Sequence, residues 1–177
     1  MAGIDETKTF KPVRIAVLVV SDTRTLENDT SGYLLVERIK ASGHELADRK
    51  LLRDDIPVIR EQVKTWIDTP DIDVVVSSGG TGLTGRDVTP EAITPLFEKT
   101  IDGFAHMFHM VSYESIGLST IQSRALAGLA NGTVIFALPG SNGAVKDGWD
   151  KVISHQLDSR YRPCNLVEIM PRMKEHL

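Results

Sequence analysis

The residues best suited to chemistry lie in one stretch. Gly79, Gly80, Gly82 and Gly85 lead to the acid Asp87, and Thr89-Pro90 follow. Ahead of them, Asp73 to Ser77 carries the β-branched run Val74–Val76, which reads as a strand buried on both faces. Thr89 and Pro90 read as a helix start, with Thr89 as N-cap and Pro90 as first helical residue. A strand, a glycine-rich turn and a helix start bring several backbone N–H groups to one point. The helix end adds partial positive charge, so the point suits a phosphate. Glycines let ligand oxygens approach without a Cβ in the way.

Two familiar patterns nearly fit and neither holds. Gly80-Thr81-Gly82-Leu83-Thr84-Gly85 matches the dinucleotide fingerprint G-x-G-x-x-G. Arg86, Asp87 and Val88 nevertheless intervene before the helix. The stretch also follows the third expected strand, where the fingerprint belongs to the first. Gly80 to Asp87 resembles a phosphate-binding Walker loop, but Arg86 and Asp87 stand where lysine and a hydroxyl residue are needed.

Three other turns contribute polar groups. Ser21-Asp22 follows an apolar run from Val13 to Val20, Asp54-Asp55 follows a weakly alternating segment from His44 to Leu52, and Pro139 to Gly143 follows Thr133–Leu138. In an open parallel sheet all four turns share the carboxyl edge, where ligands bind at a switch in strand order. Phosphate cradles beside uncompensated carboxylates would repel one another without a cation. Mg²⁺ held by one or two carboxylates plus substrate phosphates resolves this. The combination suggests phosphoryl or nucleotidyl transfer, where the protein positions groups and metal offsets developing charge. Simpler roles stay open: Asp55, Asp87 and Ser141 could each cap a helix, and Asp54 alone decides nothing. The histidines, His44, His106, His109, His155 and His176, show no metal-site spacing. No G-x-S-x-G elbow is present.

The elements that must position these turns alternate. Helices are expected around Leu34–Ile39 ending at Gly43, from Asp54-Asp55-Ile56-Pro57 through Ile67, and from Pro90 to Phe97. Further helices are expected over Ile101–Gly117, as a short piece over Gln122–Leu129 stopped by Asn131-Gly132, and on a face of Val145, Trp149, Val152, Ile153 and Leu157. Alternation predicts an α/β fold: one domain, three layers, a mostly parallel sheet with helices on both faces. Residues 1–12 read as a flexible arm, 13–165 as the domain and 166–177 as a tail. Phe, Met and His over Ile101–Gly117 exceed what a small core needs, so part of that face could meet another subunit.

Bulk properties narrow the class. The chain has 177 residues, 41% hydrophobic and 25% charged, which fits one globular domain. Its net charge of −4 argues against nonspecific nucleic-acid binding. A lone cysteine, Cys164, excludes an internal disulfide and fits a reducing, cytoplasmic setting. No apolar run reaches membrane-spanning length, and the polar N-terminus lacks a signal-peptide core.

Ser78 to Ala92 resembles the signature of the MoaB/Mog family of molybdenum cofactor biosynthesis proteins, and is most similar to its protein B branch. Ser21-Asp22, Asp29-Thr30-Ser31-Gly32, Gly103-Phe104, Ser123-Arg124 and Leu138-Pro139-Gly140-Ser141 match as well, over roughly residues 12–165. The resemblance implies a molybdopterin-binding fold, assembly as homotrimers or homohexamers, and Mg²⁺-dependent adenylylation of molybdopterin by ATP with release of pyrophosphate. It implies catalytic and metal-holding roles for Asp54 and Asp87. It also implies binding roles for Gly79, Gly80, Thr81, Gly82, Pro139, Gly140 and Ser141, with Ser21, Asp22, Ser112 and Ser123 in the same cleft. Arg53 departs from the proline that often precedes the second acid in adenylylating members. A non-catalytic molybdopterin-binding or carrier protein is the alternative on the same fold.

Overall fold

The computed structural model describes residues 2–175. Met1, His176 and Leu177, at the ends of the expected arm and tail, lie outside the described residues. The chain runs β1 (Gly3–Ile4), β2 (Arg14–Val20), α1 (Thr30–Ala41), β3 (Glu45–Leu52), α2 (Ile56–Ile67) and β4 (Val74–Ser78). There follow α3 (Thr89–Ile93), β5 (Lys99–Thr100), α4 (Asp102–Ile116), a 3₁₀ segment (Gly117–Gln122), β6 (Leu126–Ala130) and β7 (Thr133–Leu138). Next, α5 (Asn142–Gly148) passes through a π-helical stretch, Trp149–Ile153, into α6 (Ser154–Leu157). β8 (Tyr161–Arg162) and α7 (Leu166–Ile169) complete the order.

The main sheet has the order β3-β2-β4-β7-β6-β5. β3, β2, β4 and β7 are mutually parallel, β6 pairs antiparallel with β7, and β5 pairs antiparallel with β6. Alternation along the central strands separates two cores. Ile15, Val17, Val19, Val74, Val76, Val134, Phe136 and Leu138 pack toward α1, α4 and the α5–α6 rod. Ala16, Leu18, Val20, Val75, Ile135 and Ala137 pack toward α2 and α3. Both faces are therefore apolar, as a helix-covered parallel sheet requires. Each fully buried branched side chain contributes ~1.5–3 kcal/mol, so the strand ends that carry the turns are firmly held.

The helices have local causes. Asp29 caps α1 by accepting from the Gly32 amide at 2.9 Å, and Asp55 caps α2 by accepting from Val58 at 3.1 Å. In the last helix Val145, Trp149, Ile153 and Leu157 are all buried, a four-residue spacing that keeps one face inward. The N-terminal segment is tied down: Gly3–Ile4 pairs antiparallel with Tyr161–Arg162.

One expected helix is absent. Over Gln122–Leu129 the chain is the end of a 3₁₀ segment followed by strand β6, paired with β7 through Ala130↔Thr133. Asn131 (φ 47°) and Gly132 (φ 81°) are the positive-φ loop of a two-residue hairpin, not a helix stop. Packing overrides the helix preference of Leu126-Ala127-Gly128-Leu129-Ala130, because the Phe97 ring occupies the space of a Cβ at Gly128, 2.3 Å away. Among the described residues no helix is long and apolar enough to cross a membrane.

Candidate active site

The turns after β2, β3, β4 and β7 meet at the carboxyl edge, where the strand order reverses between β2 and β4. Asp22 ties three of them together. Its Oδ1 accepts the Asp54 amide at 3.2 Å, and its Oδ2 pairs with Arg86 of the glycine loop at 2.6 Å. Ser21 Oγ accepts from the Thr23 and Arg24 amides, closing its own turn.

Two glycines are structurally obligatory in the β4–α3 loop. Gly79 has φ 108°, and a Cβ there would lie 2.1 Å from the Val20 carbonyl oxygen. Gly80 has φ 65°, and its Cβ would lie 2.3 Å from Thr89 Oγ1 and 2.9 Å from Asp54 Oδ1. Thr89 is not the N-cap of α3; that position is Val88, without a side-chain cap. Instead the buried Thr89 hydroxyl donates to the Gly79 carbonyl and its amide donates to Gly80, both at 2.9 Å. The α3 helix thus grips the loop by its carbonyls. Asp87 does not cap α3 either. Its carboxylate turns into the loop and accepts from the Thr84 amide at 2.9 Å and the Thr84 hydroxyl at 2.6 Å. Ser141 does cap α5, accepting from Ala144 at 3.1 Å, while also facing the cleft.

These turns surround a cleft of about 850 Å³, within the range of small-molecule sites. Ser21, Asp22, Asp54, Gly79, Gly80, Thr81, Gly82, Asp87, Ser112, Ser123, Pro139, Gly140 and Ser141 all line it. The opposite wall is hydroxyl-rich, with Ser112 and Ser115 from α4 and Ser119 and Thr120 from the 3₁₀ segment. His109 braces that wall through Thr120 at 2.9 Å, and His106 bonds the Asp102 carbonyl of its own helix.

The two candidate acids differ in electrostatics. Partial burial, then the charges of Asp22 and Asp87, push the Asp54 carboxyl above its ordinary value. Burial also pushes Asp87 upward, but the Thr84 hydroxyl and the Thr84 and Gly82 amides outweigh it and hold Asp87 below its ordinary value. Asp22 is lowered, chiefly by its bond with Arg86. Among the described residues neither Asp54 nor Asp87 forms a salt bridge, and no preassembled cluster of three or more acidic, His or Cys donors could hold a metal. Two carboxylates without salt-bridge partners, beside glycine-containing turns in one cleft, fit a hard cation whose shell is completed by phosphate and water.

Sequence reasoning missed the arginines. Arg24 reaches from the β2 turn to the Gly140 carbonyl at 2.7 Å, and to Ser31 and the fully buried Asp29 at the start of α1. Arg49 pairs with the other Asp29 oxygen at 2.6 Å. Arg124 donates to the Gly82 and Asp87 carbonyls, each at 2.8 Å. Arg24 and Arg124 reach remote backbone carbonyls and Arg49 reaches the Asp29 carboxylate; only Arg124, adjacent to Ser123 in a matching segment, left a trace in the sequence.

A model of the probable molybdopterin binding domain matches residues 16–159. Molybdenum cofactor biosynthesis protein B of Escherichia coli strain K12 is 49% identical over 156 residues, covering 88% of this chain and 92% of the relative. A crystal structure of a molybdenum cofactor biosynthesis protein B superposes with a TM-score of 0.85 at 39% identity, covering 96% of this chain and 100% of that one. The tungsten cofactor synthesizing protein MoaB from Pyrococcus furiosus superposes with a TM-score of 0.74 at 37% identity, covering 82% and 92%. With the matched domain spanning every turn of the cleft, the chain belongs to the MoaB/Mog family of molybdopterin-binding domains.

Proposed function

We propose that this protein acts in molybdenum cofactor biosynthesis as a Mg²⁺-dependent molybdopterin adenylyltransferase. A phosphate oxygen of molybdopterin attacks the α-phosphorus of ATP. The bond from that phosphorus to the bridging oxygen breaks, pyrophosphate leaves, and adenylyl-molybdopterin remains. The observation that carries this reading is the meeting of two anion cradles with two carboxylates that lack salt-bridge partners, in one cleft. Asp54 and Asp87 would hold Mg²⁺, which when bound offsets charge on the reacting phosphates. The backbone N–H groups of Gly80, Thr81, Gly140 and Ser141 hold phosphate groups, Gly79, Gly82 and Pro139 shape the turns around them, and Ser21, Asp22, Ser112 and Ser123 orient the remainder. Positioning then supplies most of the rate, because phosphoryl chemistry asks little covalent help from the protein.

A homotrimer or homohexamer in the cytoplasm is part of the proposal. In its support, Met107, Met110, Tyr113 and Ile116 leave an apolar strip exposed on α4, continued by Leu118 and Ile121.

The test separates binding from turnover. Molybdopterin is titrated into the wild type and Asp87→Asn, and adenylyl-molybdopterin is followed by mass in the presence of ATP and Mg²⁺. The proposal expects similar molybdopterin affinity in both and product formation slowed about 10²–10³-fold in Asp87→Asn. Binding by the wild type with no product would assign the protein to the carrier role instead.

A further inference from the structure

The adenylylation reading leaves Arg124 without a part, yet its contacts converge on the loop that carries Asp87. Arg124 precedes β6, on a different segment from the β4–α3 loop. Its backbone amide donates to the Thr81 carbonyl at 2.9 Å. Its Nε donates to the Gly82 carbonyl and its Nη2 to the Asp87 carbonyl, both at 2.8 Å, while Nη1 pairs with Glu91 in α3. One side chain therefore spans both ends of the Gly82–Asp87 excursion and the first turn of the helix behind it. Arg124 itself does not line the cleft, whereas Gly82 and Asp87 do.

Three physical consequences follow. A planar guanidinium fixes the separation of the two carbonyls it bonds, so the loop cannot widen without breaking a charge-assisted hydrogen bond. The Gly82 and Asp87 carbonyls, which would repel a phosphate, are engaged by a cation outside the cleft. Inside the loop, Asp87 folds onto Thr84, so a second ring of bonds closes against the first. Lysine cannot replace this arrangement, because a single ammonium lacks the fork.

Taking the adenylyltransferase reading as its basis, we infer that Arg124 is a positioning residue for the reaction, clamping the glycine loop from behind so that Asp87 is presented in one place. It touches neither substrate nor the reacting atoms. Its effect is on the loop's rigidity and, through that, on the carboxylate.

The experiment is Arg124→Lys, read in two ways on the full chain. Backbone hydrogen exchange over residues 80–88, without any ligand, is expected to quicken by about tenfold or more, the scale of losing one hydrogen bond to a charged group. Exchange in β2, β4 and β7 should stay as in the wild type. Pyrophosphate release is expected to fall about 10–100-fold, as for loss of a group that orients a metal ligand. Unchanged exchange in the loop would overturn the clamp, and faster exchange with unchanged turnover would overturn its role in positioning. Because exchange needs no substrate, a wild type that released no pyrophosphate would defeat the adenylylation reading and not the clamp. Should Arg124→Lys unfold the domain, Glu91→Gln loosens the same fork at its exposed end. It is expected to speed loop exchange about two- to fivefold, the range of an exposed ion pair, and no change would again overturn the clamp.

Discussion

The β3–α2 turn and the β4–α3 loop deliver one acid each to the same cleft by opposite means. The first is short: only Arg53 separates β3 from Asp54, and Asp55 caps α2, so the backbone is fixed while the Asp54 carboxylate faces like charges. The second is long and glycine-rich, and its carboxylate is locked by Thr84 and Gly82. The donors around Asp87 orient its carboxylate and favour its charged form. Asp54 is held in a charge-strained state that a cation would relieve.

The contrast can be broken from its strongest side first. Asp87→Asn should lower turnover about 10²–10³-fold, the scale of losing one preorganised electrostatic group, checked by the rate of adenylyl-molybdopterin formation. Gly79→Ala should be the costliest change to the fold, about 3 kcal/mol or more, since the strained φ and the Val20 carbonyl at 2.1 Å leave no room. Denaturant unfolding checks it.

The two acids should also differ in how they affect stability with pH. Asp54 has its folded value raised above 3.8, so its charge costs stability as pH rises through the folded value, and the cost is complete above it. Asp54→Asn should therefore be slightly more stable than the wild type at neutral pH, by no more than ~1 kcal/mol, with the gain vanishing in acid. Asp87 has its folded value depressed below 3.8, so its contribution is present above 3.8 and lost as pH falls through the folded value. Asp87→Asn should be slightly less stable at neutral pH and equal to the wild type in strong acid. Thermal unfolding of both variants from neutral pH to strong acid reads the opposite signs. The smallest effect on turnover is expected at Asp55→Ala, which should lose ~1 kcal/mol of stability as a missing cap while leaving turnover near the wild-type rate.

The sheet edge was legible because its causes are local. Apolar runs ending in Ser21-Asp22, Gly79 and Pro139, with a weakly alternating segment before Asp54-Asp55, announce strands and the turns that follow them, and a parallel arrangement places those turns together. Ser112 and Ser123 were reachable only through family resemblance, since nothing local distinguishes them from surface serines. Elements set by distant packing were not legible. Leu126-Ala127-Gly128-Leu129-Ala130 has helix-favouring composition, and only the Phe97 ring and the open edge of β7 make it a strand. The Asn131-Gly132 pair carried the hairpin signal, but without alternating residues before it the pair reads equally as a helix stop. The contacts of Arg24 and Arg124 escaped for a different reason, although Arg124 lies in a matching segment: guanidinium bonds to remote backbone carbonyls have no sequence signature.

The most direct measurement is pyrophosphate release from ATP in Mg²⁺, with and without purified molybdopterin. The account predicts release that depends on molybdopterin and falls about 10²–10³-fold in Asp87→Asn. Molybdopterin binding without release by the wild type, or full release by Asp87→Asn, would contradict it.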